Sequence, residues 1–138
     1  MNVTNAVFPG PEQVTAFFGA PEDGPLVMVN LLKFKEKAEY ADGSDADLTG
    51  AEAYARYGHE VSKLVERLGG KIRYSGRVTS ILLGEVDDLW DAVALAEYPS
   101  LEAFRAMAMS PEMAAIEHHR KAGLAGQLNI RTKPGEGF

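Results

Sequence analysis

The sequence predicts an α+β domain in which one antiparallel sheet carries its helices on a single face. Three observations point there. Leu26–Phe34 is an apolar run of strand length, rich in residues that fit a pleated surface. Tyr54, Tyr57, Val61, Leu64, Val65 and Leu68 form one stripe at helical spacing. Tyr98-Pro99-Ser100, then Ser110-Pro111-Glu112, stop a strand and start two helices.

At 138 residues the chain has the size of one domain with one core. A hydrophobic fraction of 46% beside 25% charged residues is that of an ordinary water-soluble chain, and the longest apolar run, broken by Asn30, is far below the roughly 20 residues of a membrane helix. Cysteine is absent, which removes disulfides, thiolate nucleophiles and thiolate metal sites. A formal charge of −6 argues against a nucleic-acid surface, because counterion release needs clustered Lys and Arg. Met1–Ala6 has neither the basic stretch nor the apolar core of a secretory signal, and the expected location is cytoplasmic.

Pro11 opens a short first helix with Val14, Phe17 and Phe18 on one side. In the strand Leu26–Phe34, period two places Met28, Asn30, Leu32 and Phe34 on one face and Val27, Val29, Leu31 and Lys33 on the other. The acidic, turn-rich stretch from Glu36 to Gly50 reads as a mobile surface loop. The long amphipathic helix follows, closed by Gly69-Gly70. Lys71–Val86 is expected as a strand, with Ile72, Tyr74, Gly76 and Val78 on one face and Arg73, Ser75 and Arg77 on the other. Asp87-Asp88 turns the chain into a third strand, Trp90–Tyr98, and Gly76 marks a bulge or bend. Two short helices and a last strand, Gln127–Arg131, complete the chain. After the leading helix the order is βαββαβ, the ferredoxin-like arrangement. The expected division is a helical extension over 1–24, the ferredoxin-like domain over 25–131 and a frayed tail over 132–138. Nothing remains to cover the sheet's second face, so a second copy of the chain is the expected partner.

Val27–Phe34, Ala53–Tyr57, Gly69-Gly70, Tyr98-Pro99-Ser100 and His119–Leu124, taken in order, resemble the family catalogued as domain of unknown function 1330 (DUF1330), within the dimeric α/β-barrel superfamily. The resemblance implies a homodimer with a cavity between sheet and helices. That superfamily includes cofactor-independent monooxygenases, isomerases of small lactones and haem-binding enzymes, so the fold selects no chemistry. The leading helix and the acidic loop depart from many shorter members.

Candidate site residues come from polar groups in apolar settings. Asn30 must be bonded, either to neighbouring backbone or to a ligand in an apolar pocket. His118, His119 and Arg120 suit a helix C-terminus through the dipole. The two histidines diverge by about 100 degrees on the helix and make a poor metal pair. His119 shares a face with Ile116 and is the expected acid or base, with Glu97 at a strand end as the second proton-moving candidate. Arg120 suits a carboxylate, that of Glu97 or of a ligand. Arg77 would need a partner or an anionic ligand if its face looks into the dimer core, the alternative being exposure at the sheet edge. Tyr57 and Trp90 are expected as core residues whose polar tips line an aromatic pocket, with Tyr54 beside them; His59 is expected in solvent. Asp45–Gly50 opens like a calcium loop, but Arg56 stands where a bidentate glutamate is required. No metal and no cofactor are expected. The leading functional expectation is a homodimer binding a small organic ligand, as a cofactor-independent monooxygenase or isomerase; the rivals are a non-catalytic ligand-binding or stress-related dimer and haem binding through His118 or His119.

Overall fold

The computed structural model describes every residue except Glu136. Its elements are α1 (Pro11–Phe18), β1 (Leu26–Phe34), α2 (Gly50–Arg67), β2 (Lys71–Arg77), β3 (Ala92–Tyr98), α3 (Leu101–Ala108), α4 (Pro111–Gly123) and β4 (Leu124–Thr132). The four strands form one antiparallel sheet in the order β2-β3-β1-β4, so the fold is α+β and ferredoxin-like.

Each helix begins where its own residues satisfy the first free amides. Thr49 and Glu52 form a reciprocal capping box on α2, Ser100 Oγ accepts from Ala103 N at 3.0 Å, and Ser110 Oγ accepts from Met113 N at 3.1 Å. The Glu22 carboxylate accepts from the amides of Leu101 and Glu102, which fastens residues before β1 to the start of α3 and lowers the carboxyl pKa. Gly69, at φ 82, ends α2 in the left-handed region.

The core lies between the helices and one sheet face: Leu26, Met28, Ala96 and Tyr98 meet Leu64 and Val65 of α2, Met107 of α3 and Met113 of α4. Burying each of the leucine, valine and methionine side chains contributes about 1.5–3 kcal/mol. The backbones of α2 and α4 touch at Gly50 and Gly123; a Cβ on Gly123 would press against the Gly50 carbonyl and lie 2.8 Å from Tyr54 N. The other sheet face carries Val27, Val29, Leu31, Val93 and Leu95, with Tyr74 and Ile130 exposed. Among the described residues no element packs over it.

Three sequence expectations change. β2 stops at Arg77, and residues 78–91 form a loop tied back by Val78 N to the Asp91 carbonyl, because β3 offers paired backbone only from Ala92. A register shift lies between Ile72 and Tyr74. It turns Tyr74 and Gly76 to the uncovered face opposite Leu95 and Val93, and Ser75 and Arg77 to the helix side opposite Ala94 and Ala92. The bulge thus sits near Arg73, not at Gly76, and the strict alternation expected for this strand fails. Third, residues 36–49 are not a loose loop. Ala38 is buried against Ala53 and Ala122, with Tyr40 and Leu48 packed around them, and Ala38 N and Glu39 N bond the carbonyls of Leu48 and Ala122. β4 also starts directly at Leu124, with no turn after α4. The expected frayed tail falls partly on Glu136, outside the described residues.

Candidate functional site

A cavity of about 450 Å³ opens between α1 with its preceding segment, the edge strand β4, and helices α3 and α4. Its walls are mostly apolar, Val7, Phe8, Phe17, Met28 and Phe104 among them, and its polar end is formed by Arg120, Gln127 and Asn129. A mostly apolar hollow with a few placed polar groups has the character of a small-molecule site. Phe17, Phe18 and Phe104 pack tilted and edge-on at centroid separations of 5.0 to 5.9 Å and hold one wall together.

The polar end is held by one directed chain of hydrogen bonds. Guanidinium can only donate, so Arg120 Nη2 fixes Gln127 Oε1 as acceptor at 2.8 Å. Gln127 Nε2 must then donate, and does so to Asn30 Oδ1 at 2.7 Å. That leaves Asn30 Nδ2 to donate to the carbonyls of Met28 and Ala94, each at 3.2 Å, in the middle of the sheet. At its other end Arg120 Nη1 bonds Glu117 Oε1 at 3.0 Å. Gln127 is 8% exposed and the Arg120 side chain 15%, so the chain runs through the interior and its members polarise one another. Phe8 covers one face of the guanidinium with its ring centre 5.6 Å from Cζ.

Of the expected site residues, Asn30 and Arg120 are brought together, through Gln127. Arg120 pairs with Glu117 and not with Glu97. Glu97 instead accepts from Arg73 Nε at 2.8 Å at the sheet margin. His119 lies on the far side of α4, where its Nδ1 and the Tyr40 hydroxyl share a hydrogen bond of 2.7 Å; Arg56 Nη1 donates to the same hydroxyl at 3.4 Å. Burial first, then the neighbouring His118 and Arg56, hold the His119 pKa below its ordinary value. Arg77 is exposed at the end of β2. Trp90 Nε1 donates to Asn5 Oδ1 at 2.9 Å and pins the segment before α1. Tyr57 reaches Met113 Sδ at 3.8 Å inside the core. None of Tyr57, Arg77, Trp90, Glu97 and His119 lines the cavity. Burial raises the pKa of Tyr54 to about 12, and those of Tyr57 and Tyr98 in the same direction, so all three stay protonated at neutral pH. Among the described residues no group of three His, Asp or Glu side chains is placed to hold a metal ion, and no helix is long and apolar enough to cross a membrane.

The sequence reading missed Gln127 and Glu117. A signal for Gln127 exists: Gln127, Asn129 and Arg131 share the β4 face that the register sets beside Leu32, Asn30 and Met28, so polar residues occupy the helix side of the sheet.

Over residues 44–132, well over half of the chain, the sequence matches the family described as Domain of unknown function (DUF1330). The chain belongs to the DUF1330 family. It is 39% identical to RPA0582, a protein of unknown function from Rhodopseudomonas palustris, over 95% of this chain and 98% of that one, with a TM-score of 0.82. More distant structures share the fold alone. SnoaB, a cofactor-independent oxygenase from Streptomyces nogalater, is 14% identical over 80% of this chain and 93% of its own, at a TM-score of 0.51. A dimeric protein of unknown function with a ferredoxin-like fold from Bacteroides fragilis is 13% identical over 79% and 95%, at 0.50. No curated protein matches this DUF1330 chain.

Proposed function

We propose that this DUF1330 protein is a cytoplasmic homodimer that binds a small, mainly apolar and uncharged organic molecule in the cavity beneath α1. The observation that carries this reading is the state of Arg120. Its charge is already met by Glu117, and its position is fixed through Gln127 and Asn30, so it offers a fixed donor without a net positive field. A ligand with a carbonyl or hydroxyl at one end and an aromatic or aliphatic body fits that end and those walls; a carboxylate would have to compete with Glu117. Self-association is supported by the uncovered apolar sheet face, on which Val27, Val29, Leu31, Val93 and Leu95 lie together, and by the dimeric state of the Bacteroides fragilis protein of the same fold.

The enzymatic form of this reading, a cofactor-independent monooxygenase or isomerase, draws on the shape shared with SnoaB. It requires a base beside the ligand; no carboxylate or histidine is among the described residues that line the cavity, and Glu117 reaches it only through Arg120, to which it is bonded.

The test is calorimetric titration with acetylnaphthalene, a neutral aromatic ketone, against the naphthoate anion. The ketone is expected to bind more tightly, and Arg120→Met to weaken the ketone by about tenfold, near 1.4 kcal/mol, with the fold checked by circular dichroism. Equal affinities in the variant and the parent, or no binding of either compound, would overturn the reading.

A further inference from the structure

We propose that the loop between β2 and β3, residues 78–91, is a clasp that docks on the opposite, basic end of a second copy's sheet. The proposal rests on the homodimer reading above and adds which surfaces meet and in which orientation.

The loop is anchored at its base and apolar at its tip. Asp91 N donates to the Leu32 carbonyl at 2.8 Å, and Asp91 Oδ2 accepts from Phe34 N at 2.9 Å. Lys33 Nζ reaches the Leu89 carbonyl at 3.0 Å and Asp88 at 2.9 Å. Two antiparallel strands can be joined by a loop of about 2–5 residues; this one is far longer and spends the excess on Ser80-Ile81-Leu82-Leu83-Gly84. Leu82 is 102% exposed and Leu83 87%. Fully exposed adjacent leucines on a firmly tied base are a surface awaiting a cover. Lys33 belongs to the uncovered sheet face with Val27, Val29 and Leu31, so the returning limb of the loop stands at that face's margin.

Charge selects the partner and its orientation. Glu85, Asp87 and Asp88 follow the leucines in the same loop, which disfavours an anionic lipid surface. At the other end of the same sheet lie Lys71 and Arg73 at the start of β2 and Lys133 beyond β4, with Arg131 at that end on the helix side. Glu97 and Asp23 offset part of that charge, while Lys71 remains exposed. The sheet therefore has a basic end, where Lys71 is exposed on the uncovered face, and an end where Glu85 and Asp87 stand beside exposed Arg77, Lys33 being met by Asp88 and Asp91. Two copies stacked face to face about a two-fold axis along the strands would bring like ends together. With the axis across the strands, each acidic clasp lies over the partner's basic end, and its leucines meet the half of the face that carries exposed Tyr74.

Sedimentation equilibrium at low ionic strength tests this on the full chain. Glu85→Lys with Asp87→Lys, and separately Lys71→Glu with Arg73→Glu, should each raise the dimer dissociation constant about tenfold or more. An equimolar mixture of these two variants should recover a heterodimer near the parent's affinity, as should one chain carrying all four changes. Leu82→Asp with Leu83→Asp should weaken association without such rescue. A dimeric parent whose variants associate unchanged, or whose mixture forms no heterodimer, overturns the clasp and leaves the homodimer standing. A parent that is monomeric at all concentrations overturns both, and neutral phosphatidylcholine vesicles that capture the parent but not the leucine variant would assign the tip to a membrane instead.

Discussion

Replacing Gln127 by Leu cuts the polar chain at its middle while leaving an apolar side chain in its place. Two bonds disappear, the 2.8 Å bond from the Arg120 guanidinium and the 2.7 Å bond to Asn30 Oδ1. A hydrogen bond from a charged donor is worth about 1.5–3 kcal/mol and a neutral one about 1 kcal/mol. Asn30 Oδ1 then faces leucine inside the sheet, whereas Arg120 can recover part of its loss from water in the cavity. The leucine side chain returns some apolar burial at a site only 8% exposed. The net expectation is a loss of about 2 kcal/mol in urea unfolding, with the denaturant slope unchanged, measured at one fixed protein concentration because association adds its own stability. A double-mutant cycle of Asn30→Ala and Gln127→Ala should show coupling of about 1 kcal/mol. A loss below about 0.5 kcal/mol, or no coupling, would mean that water replaces the bonds freely and that the chain positions nothing.

Three further substitutions probe other parts of the frame. His119 has its pKa held below the ordinary value, so folding favours its neutral, Tyr40-bonded form; the unfolded chain takes up the proton first as pH falls below about 6.5. The stability from this group is complete above that pH and declines as pH drops through the folded value, so His119→Gln should flatten the acid limb of a stability-versus-pH curve, and an unaltered slope would remove His119 from it. Gly123→Ala forces a Cβ against the Gly50 backbone and should cost about 3 kcal/mol or more, whereas Gly58→Ala, within α2 and with nothing within 4 Å, should gain about 0.5–1 kcal/mol. Thermal melts in which both changes have the same sign would contradict the close approach of α2 and α4.

Where a residue's local pattern and its tertiary surroundings agree, the sequence was readable. The Leu26–Phe34 strand, the α2 stripe ending at Gly69 and the serine caps before α3 and α4 each depend on neighbours a few residues away. Residues 78–86 show the limit. Val78, Ile81, Leu82, Leu83 and Val86 have strand composition, yet a strand exists only where another backbone pairs with it, and β3 begins too late. The bulge near Arg73 escaped for a related reason: alternation counts residues, and a bulge adds one to one strand alone. The acidic loop was misjudged because Ala38, a single small residue, is what seats it in the gap left by Ala53 and Ala122.

The site divides along the same line. Asn30 announced itself as an amide in an apolar strand, and the requirement that it be bonded held; which bond it makes depends on the register that sets Gln127 opposite Leu32. Glu117 lies three residues before Arg120 on one helix, a spacing visible in the sequence. What the sequence hid was that this pair faces the sheet while His119, the next residue, faces Tyr40: a rotation of about 100 degrees separates interior from loop. On β1 the helix-side positions are mainly apolar, Met28, Leu32 and Phe34, while on the adjoining edge strand they are Gln127, Asn129 and Arg131. Polar side chains on the buried side of an edge strand are costly unless they bond one another or meet something else. Gln127 is spent on Arg120 and Asn30, and Asn129 fronts the cavity. The segment before α1 is held there by Ala6 N to the Gln127 carbonyl and by Trp90 on Asn5, so it roofs that polar strip and leaves the hollow beneath unfilled. A chain that needed only stability would have placed apolar residues on this strip and closed the gap; keeping both is what supports the ligand-binding function proposed above.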